Sequence, residues 1–469
     1  MLRTSGWVLS ALLVALGVTI VTAGAKEKRL PGGGDNPTPA PLVAEKPADA
    51  KTAQLIADLG ADEYRIREKA GVALTALGEK ALPAMRAALL STDNPEVQRR
   101  LAVLVRKMDV ERLIAPKRVT FSVKNKGARE IFDEIAKQTG YKIDFQGDGG
   151  AQTKHTFEFE NTPFWQAVDK VANAVGCVVY ADGGGDGDDT VRIFNQNQVN
   201  PYVAYAGPFR FVATSIQSNT NIQLSGIPRQ GGAPNRTQNM SMSFQIQSEP
   251  KNPMLGVTMA EVVTATDDTG GSLVQPRDPN NRSNYFENRG FRGHSTYGNL
   301  NLNRAGDKSA TSIKTLKAKI GIMLLSGTTP EISVADPLKV KAKPFVGRTL
   351  EIEIASLVED ANNKGQYLLD VTMKRVGAVD PDREDYNWSN NIWNKIELID
   401  ANGNRYKSFG PNNFNNNGAA IQMTVPFGAD DRRGNGKPAK LGPPVRLLVN
   451  EWLSVTHEVT FEFKDLPLP

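Results

Sequence analysis

Residues 119–145 read VTFSVKNKGAREIFDEIAKQTGYKIDF, residues 155–180 read HTFEFENTPFWQAVDKVANAVGCVVY, and DTVRIFN follows at 189–195. The two passes have one grammar. An alternating strand (Val119, Phe121, Val123; then Phe157, Phe159) leads into a helix, a glycine, and a second alternating strand. Ala128, Ile131, Phe132, Ile135 and Ala136 fall at helical spacing, as do Phe164, Ala167, Val168, Val171, Ala172 and Val175. Each helix therefore presents one apolar face. Thr162-Pro163 reads as an N-cap and first-turn pair, and Gly140 and Gly176 as C-terminal stops. The spacing predicts a small βαβ–βαβ domain over 117–197, with Phe132, Ile135, Val168 and Val171 packed on one sheet that holds Phe121, Phe157 and Val179.

The wording of this segment, with Thr139-Gly140-Tyr141, Val175-Gly176-Cys177 and Asn161-Thr162-Pro163 at the turns, resembles the secretin and TonB N-terminal short domain over residues 118–195. The resemblance implies a periplasmic module that contacts partner proteins. No secretin pore segment or TonB box follows, and no series of roughly ten-residue alternating membrane strands.

Working outward, Arg3 precedes an uncharged run from Thr4 to Ala25 that ends Ala23-Gly24-Ala25. Residues 1–25 read as a secretory signal peptide or, uncut, as a membrane anchor through residues 4–25. Residues 26–50, rich in Pro and Gly, read as a linker. Residues 51–109 (Ile66, Ala70, Leu74 and Leu77, then Leu82, Met85 and Leu89, then Val97, Leu101, Leu104 and Met108) read as helices. Their wording resembles one and a half HEAT-type repeats, or a compact bundle that packs on its neighbour.

Beyond residue 200 the period changes to two, with turn clusters between strands. Phe209, Phe211 and Ala213 resemble Leu350, Ile352 and Ile354. Thr264–Gly270 resembles Leu398–Gly403, Leu316–Ile332 resembles Val445–Val459, and Ala335–Leu338 resembles Lys464–Leu468. This internal repeat predicts two tandem antiparallel β-sandwiches, 205–345 and 346–469. The expected class is multidomain α+β.

The chain has 469 residues, 23% of them charged, and a net charge of +5. The charges are interspersed, which argues against a nucleic-acid partner. The one cysteine, Cys177, reads as a core residue, and the three histidines have no spaced ligand partners. No cofactor fingerprint, metal site or catalytic constellation is legible. Asp182, Asp186, Asp188 and Asp189 read as a hairpin turn rather than a calcium loop, because the twelfth place from Asp182 is Ile193.

Asn-rich polar stretches carry further aromatics: Tyr285, Phe286, Phe291 and Tyr297 with Arg282, Arg289 and Arg292, then Tyr386, Trp388 and Trp393, and Phe409 and Phe414 among asparagines. The strongest candidates, and the expected binding residues, are Tyr285, Phe286, Arg289, Phe291, Arg292, Tyr297, Tyr386, Trp388 and Trp393. The expected function is a non-enzymatic exported envelope protein that docks to or scaffolds envelope proteins or a cell-surface polymer. Two alternatives stay open: an accessory subunit of a secretion or pilus machine, and a carbohydrate-active hydrolase with accessory sandwiches.

Overall fold

The computed structural model describes residues 50–147, 153–180, 189–196, 200–223, 235–275, 286–287, 292–303, 309–377, 392–429 and 441–469. The expected signal or anchor, residues 26–49 of the linker, and the Asp182–Asp188 turn lie outside these. The class is mixed α+β with several antiparallel sheets. Among the described residues no helix is long and apolar enough to cross a membrane.

Helices α1 (Ala50–Asp58), α2 (Tyr64–Leu77), α3 (Leu82–Ser91) and α4 (Pro95–Ile114) close around Leu59, Leu74, Met85 and Leu101. Gly78 at φ 60° ends α2. The Asn94 side chain accepts from the amides of Glu96 and Val97 at 3.0 and 3.2 Å. Such a cap contributes about 1 kcal/mol. Helix α4 runs past the expected end at 109, because Leu113 reaches the first β core and is buried there.

The segment singled out above folds as β1 (Arg118–Lys126), α5 (Ala128–Thr139), β2 (Ile143–Phe145), β3 (His155–Pro163), α6 (Phe164–Ala174), β4 (Cys177–Tyr180) and β5 (Val191–Asn195). The helix faces are as expected: Phe132, Ile135, Val168 and Val171 are fully buried, Phe157, Phe159 and Val179 are buried with them, and Phe121 is half-buried at the edge of this core. Gly140 caps α5 in the left-handed region at φ 75°, and Cys177 is buried.

Two expectations are corrected. The strands form two sheets, not one: β1 pairs antiparallel with β3, while β5 lies between β2 (parallel) and β4 (antiparallel). Alternation marks which residues face the core and is silent about which strand lies beside which. Thr162 is not an N-cap, because β3 keeps pairing with β1 as far as Pro163. Helix α6 then starts at Phe164, whose amide donates to the Lys117 carbonyl at 2.8 Å.

The β region continues with β6 (Val203–Ala206), β7 (Phe209–Gln223), β8 (Asn235–Ser248), β9 (Met254–Thr258), β10 (Glu261–Asp267), β11 (Phe286–Glu287), β12 (Ser295–Leu302) and β13 (Ser312–Ala335). It ends with β14 (Lys343–Val346), β15 (Leu350–Glu359), β16 (Tyr367–Arg375), β17 (Ile396–Asp400), β18 (Lys407–Ser408), β19 (Asn413–Asn416), β20 (Ala420–Gly428) and β21 (Pro444–Pro467). One sheet runs β12-β8-β7-β6, and a second runs β14-β15-β16-β20-β18. Strand β10 pairs with β13 as β17 pairs with β21. The sequence repeat is thus a repeat of topology.

The expected boundary at 345/346 does not divide the two cores. Strands β13 and β21, 24 residues each, pair with one another from Ser312↔Pro467 to Ala335↔Arg446. The far half of β21 (Val455, Val459, Phe461, Phe463) lies in the first core, where Phe461 stacks on Phe211 at 4.1 Å. The far half of β13 (Ile332, Val334) lies in the second core beside Leu447 and Val449. Each half of the repeat thus lends the end of its longest strand to the other. An antiparallel ribbon running through both cores removes two sheet edges that separate sandwiches would expose.

Candidate binding face

Tyr285, Arg289, Phe291, Tyr386 and Trp388 lie outside the described residues. The backbone of Phe286 pairs with Thr258 in β11–β9. Arg292 is half-buried. Trp393 is not the free loop aromatic expected. It is half-buried against the second core, edge-on to Phe414 at 6.0 Å. Tyr297 is the expected binding residue found in the open: it stands on β12 with 64% of its surface exposed.

Tyr297 belongs to a larger surface that the aromatic count missed. In the β12-β8-β7-β6 sheet, alternate residues turn inward: Phe209, Phe211 and Ala213 on β7, Met240 to Ile246 on β8, Leu300 and Leu302 on β12. The opposite phase of β7 is Ser215, Gln217 and Asn219, all exposed. On β8 it is Asn239, Ser241, Ser243 and Gln245, and on β12 it is Tyr297, Asn299 and Asn301. Register sets them in rows, Ser215–Ser243–Asn299 and Gln217–Ser241–Asn301. Ser243 Oγ donates to Asn299 Oδ1 at 2.8 Å, and Gln245 Nε2 to Ser295 Oγ at 3.1 Å. None of these positions is charged, in a chain that is 23% charged.

The fold does not impose this. On the matching strands of the other half, the outward phase carries Glu351 paired with Lys374 at 3.3 Å, Glu353, and Asp370, which accepts from Ser356 and Thr424 at 2.8 and 2.6 Å. The signal was present in the sequence as a polar strand phase without a charge, repeated on three strands.

The open face ends where the small α/β domain begins. The next row of the same sheet, Tyr205, Arg210 and Gln247, is covered by α6. Asp169 accepts from Arg210 Nε at 2.7 Å and from the Tyr205 hydroxyl at 2.6 Å, and Arg210 Nη1 donates to Gln247 Oε1 at 2.6 Å. Asp169, Arg210 and Gln247 are buried. Burial, and then the Asp169 carboxylate, push the Tyr205 hydroxyl well above its ordinary pKa. Trp165 Nε1 donates to the Pro208 carbonyl at 3.1 Å.

A second buried carboxylate, Glu249, accepts from the Lys117 amide at 3.0 and 3.1 Å and from the Tyr141 hydroxyl at 2.7 Å. Burial raises its pKa despite these donors. Asn252 Nδ2 donates to the Leu113 carbonyl at 2.6 Å, and Lys251 Nζ to those of Arg112, at 3.0 Å, and Ala115. The left-handed turn at Gly207 comes so close to the end of α4 that a Cβ there would sit 2.9 Å from the Ile114 carbonyl oxygen. Breaking a buried pair such as Asp169–Arg210 costs about 3–5 kcal/mol, so this joint resists opening. Beside it, His294 Nε2 lies 3.0 Å from Asp189 Oδ1, over a cavity of about 40 Å³ lined by Trp165, Tyr180 and Gln247. That space suits ordered water.

Among the described residues no cluster of three or more His, Cys, Asp or Glu could hold a metal ion. Compared with known proteins, the chain matches no family model and no curated protein.

Proposed function

We propose that the chain is a non-enzymatic, exported envelope protein that docks to or scaffolds protein or polymer partners, and that its contact surface is the open outer face of β7, β8 and β12. The carrying observation is that face: exposed on β7 and β12 and half-exposed along β8, uncharged, and fixed in register beside a buried joint. A rigid display surface loses little entropy on binding.

The buried carboxylates favour binding over hydrolysis. Asp169 is committed to Arg210, Glu249 to the Lys117 amide, and Asp267 and Asp400 to turns. A hydrolase needs a pair of acids open to a cleft. The likeness of residues 118–195 to a periplasmic partner-binding module supports the envelope address. That module's Trp165 and Asp169 are engaged within the chain, which favours a scaffold over a machine subunit that docks through α6.

The test is cosedimentation of the full chain with envelope fragments from the cells that make it. Wild type should pellet, and Asn299→Lys with Gln217→Lys should stay in solution. Thr372→Lys, on the charged face, should pellet like wild type. Equal pelleting of all three rejects the face. A fusion of residues 1–50 to a reporter active only after export should give signal; a silent, expressed fusion rejects the envelope address.

A further inference from the structure

We infer that the open face of β7, β8 and β12 binds a neutral polysaccharide; this rests on the reading of that face as the contact surface and names what it contacts.

The charge pattern selects the partner. Anionic polymers are held by Lys and Arg, and this face offers none. A protein surface brings its own charges, about a quarter of its residues. Against an uncharged face those charges lose water without gaining a partner, which costs free energy. A neutral polysaccharide presents hydroxyls that both donate and accept. Ser, Asn and Gln side chains also do both.

The geometry agrees. Side chains on one face recur about every 6.8 Å along a strand and about 4.8 Å between strands, so the face is a repeating array of hydrogen-bonding groups suited to an extended repeating chain. Its members are already tied to one another, as Ser243 is to Asn299 and as Gln245 Nε2 is to Tyr297 Oη at 3.4 Å. Ordering them on binding therefore costs little. Tyr297 adds an exposed ring with a polar tip, an apolar plate for the C–H face of a sugar.

The internal repeat supplies a control. The equivalent outer face of the second half is built from Glu351, Glu353, Asp370 and Lys374 on matching strands. An uncharged face is thus a property of one half and not of the architecture. Uncharged strands at a sheet edge invite aggregation, and proteins ordinarily place charges there.

The experiment is native affinity electrophoresis of the full chain in gels containing hydroxyethylcellulose, laminarin, galactomannan or, as the charged comparison, polygalacturonate. At least one neutral polymer should retard the protein, and polygalacturonate should not. Tyr297→Ala should weaken retardation by about tenfold, and Asn301→Asp, which places one charge on the face, should weaken it similarly. Thr372→Ala should leave it unchanged, and melting temperatures should match wild type. The inference falls if none of the three neutral polymers retards the chain, if polygalacturonate alone does, or if both face variants migrate as wild type. If the chain cosediments with envelope fragments through this face yet ignores every neutral polymer, the docking reading stands and the partner is a protein.

Discussion

Asp267 and Asp400 do the same job in the two halves of the repeat. Asp267 Oδ1 accepts from the amides of Thr269 and Gly271 at 3.0 and 2.7 Å; Asp400 Oδ1 accepts from Asn402 and Asn404 at 2.9 and 2.8 Å. Each turn then passes through a left-handed glycine, Gly270 at φ 86° or Gly403 at φ 81°. The Gly442 amide and then the Asn404 side chain hold the Asp400 carboxyl down to about 2; the Thr269 hydroxyl leads in lowering Asp267. A carboxylate with a depressed folded pKa contributes stability that is fully present above the unfolded value near ~3.9 and lost as pH falls through the folded one. Between about pH 4 and pH 2, wild type should therefore lose stability more steeply than Asp400→Asn, as melting temperature against pH will read. Parallel slopes would show that the turn carboxylate is not linked to folding. Both turns were legible in the sequence, since Asp, Asn and Gly at matched places have a mechanism for turning the chain. Trp393 was not, because a polar neighbourhood in sequence says nothing about a core that arrives from another strand.

At the scale of elements, helical spacing named most of the buried stripes of α5 and α6, because period and burial are two aspects of one geometry. Ala136 is only half-buried, and Thr139, Trp165 and Asp169 are buried polar or flanking positions that an apolar period passes over. Phe132 is 1% exposed, and Lys137, on the same helix, points to solvent. Phe132→Ala should cost about 3–5 kcal/mol in denaturant unfolding and Lys137→Ala well under one. Equal, small losses would refute the face assignment. Strand neighbours were not legible. The three-residue β2 pairs with β5 across a long gap in sequence, and nothing local in β2 specifies that partner. The open face of β7, β8 and β12 was legible only in part. Tyr297 is marked by its aromatic ring in a polar stretch, and the rest of the face by a polar strand phase that carries no charge.

For the whole molecule, the repeat predicted two separate sandwiches, and the structure shows two apolar cores that share the paired strands β13 and β21. A repeat in sequence fixes what is duplicated but not whether the copies exchange strands. Ending the chain after Pro443 removes β21 and with it Val455, Val459, Phe461 and Phe463 from the first core. Such a chain should show no cooperative melt by near-ultraviolet circular dichroism, although residues 205–345 are intact. A wild-type-like melt would show that the first core stands alone. Hydroxyl-radical footprinting of the full chain with and without envelope fragments reads whether the outer face of β7, β8 and β12 is where the protein meets the envelope. Tyr64 and Tyr297 are almost equally exposed, at 62% and 64%, so they report on two surfaces with one chemistry. Oxidation of Tyr297 should fall on binding while that of Tyr64 holds; protection of Tyr64 with Tyr297 unchanged would place the contact on the helices and not on this sheet.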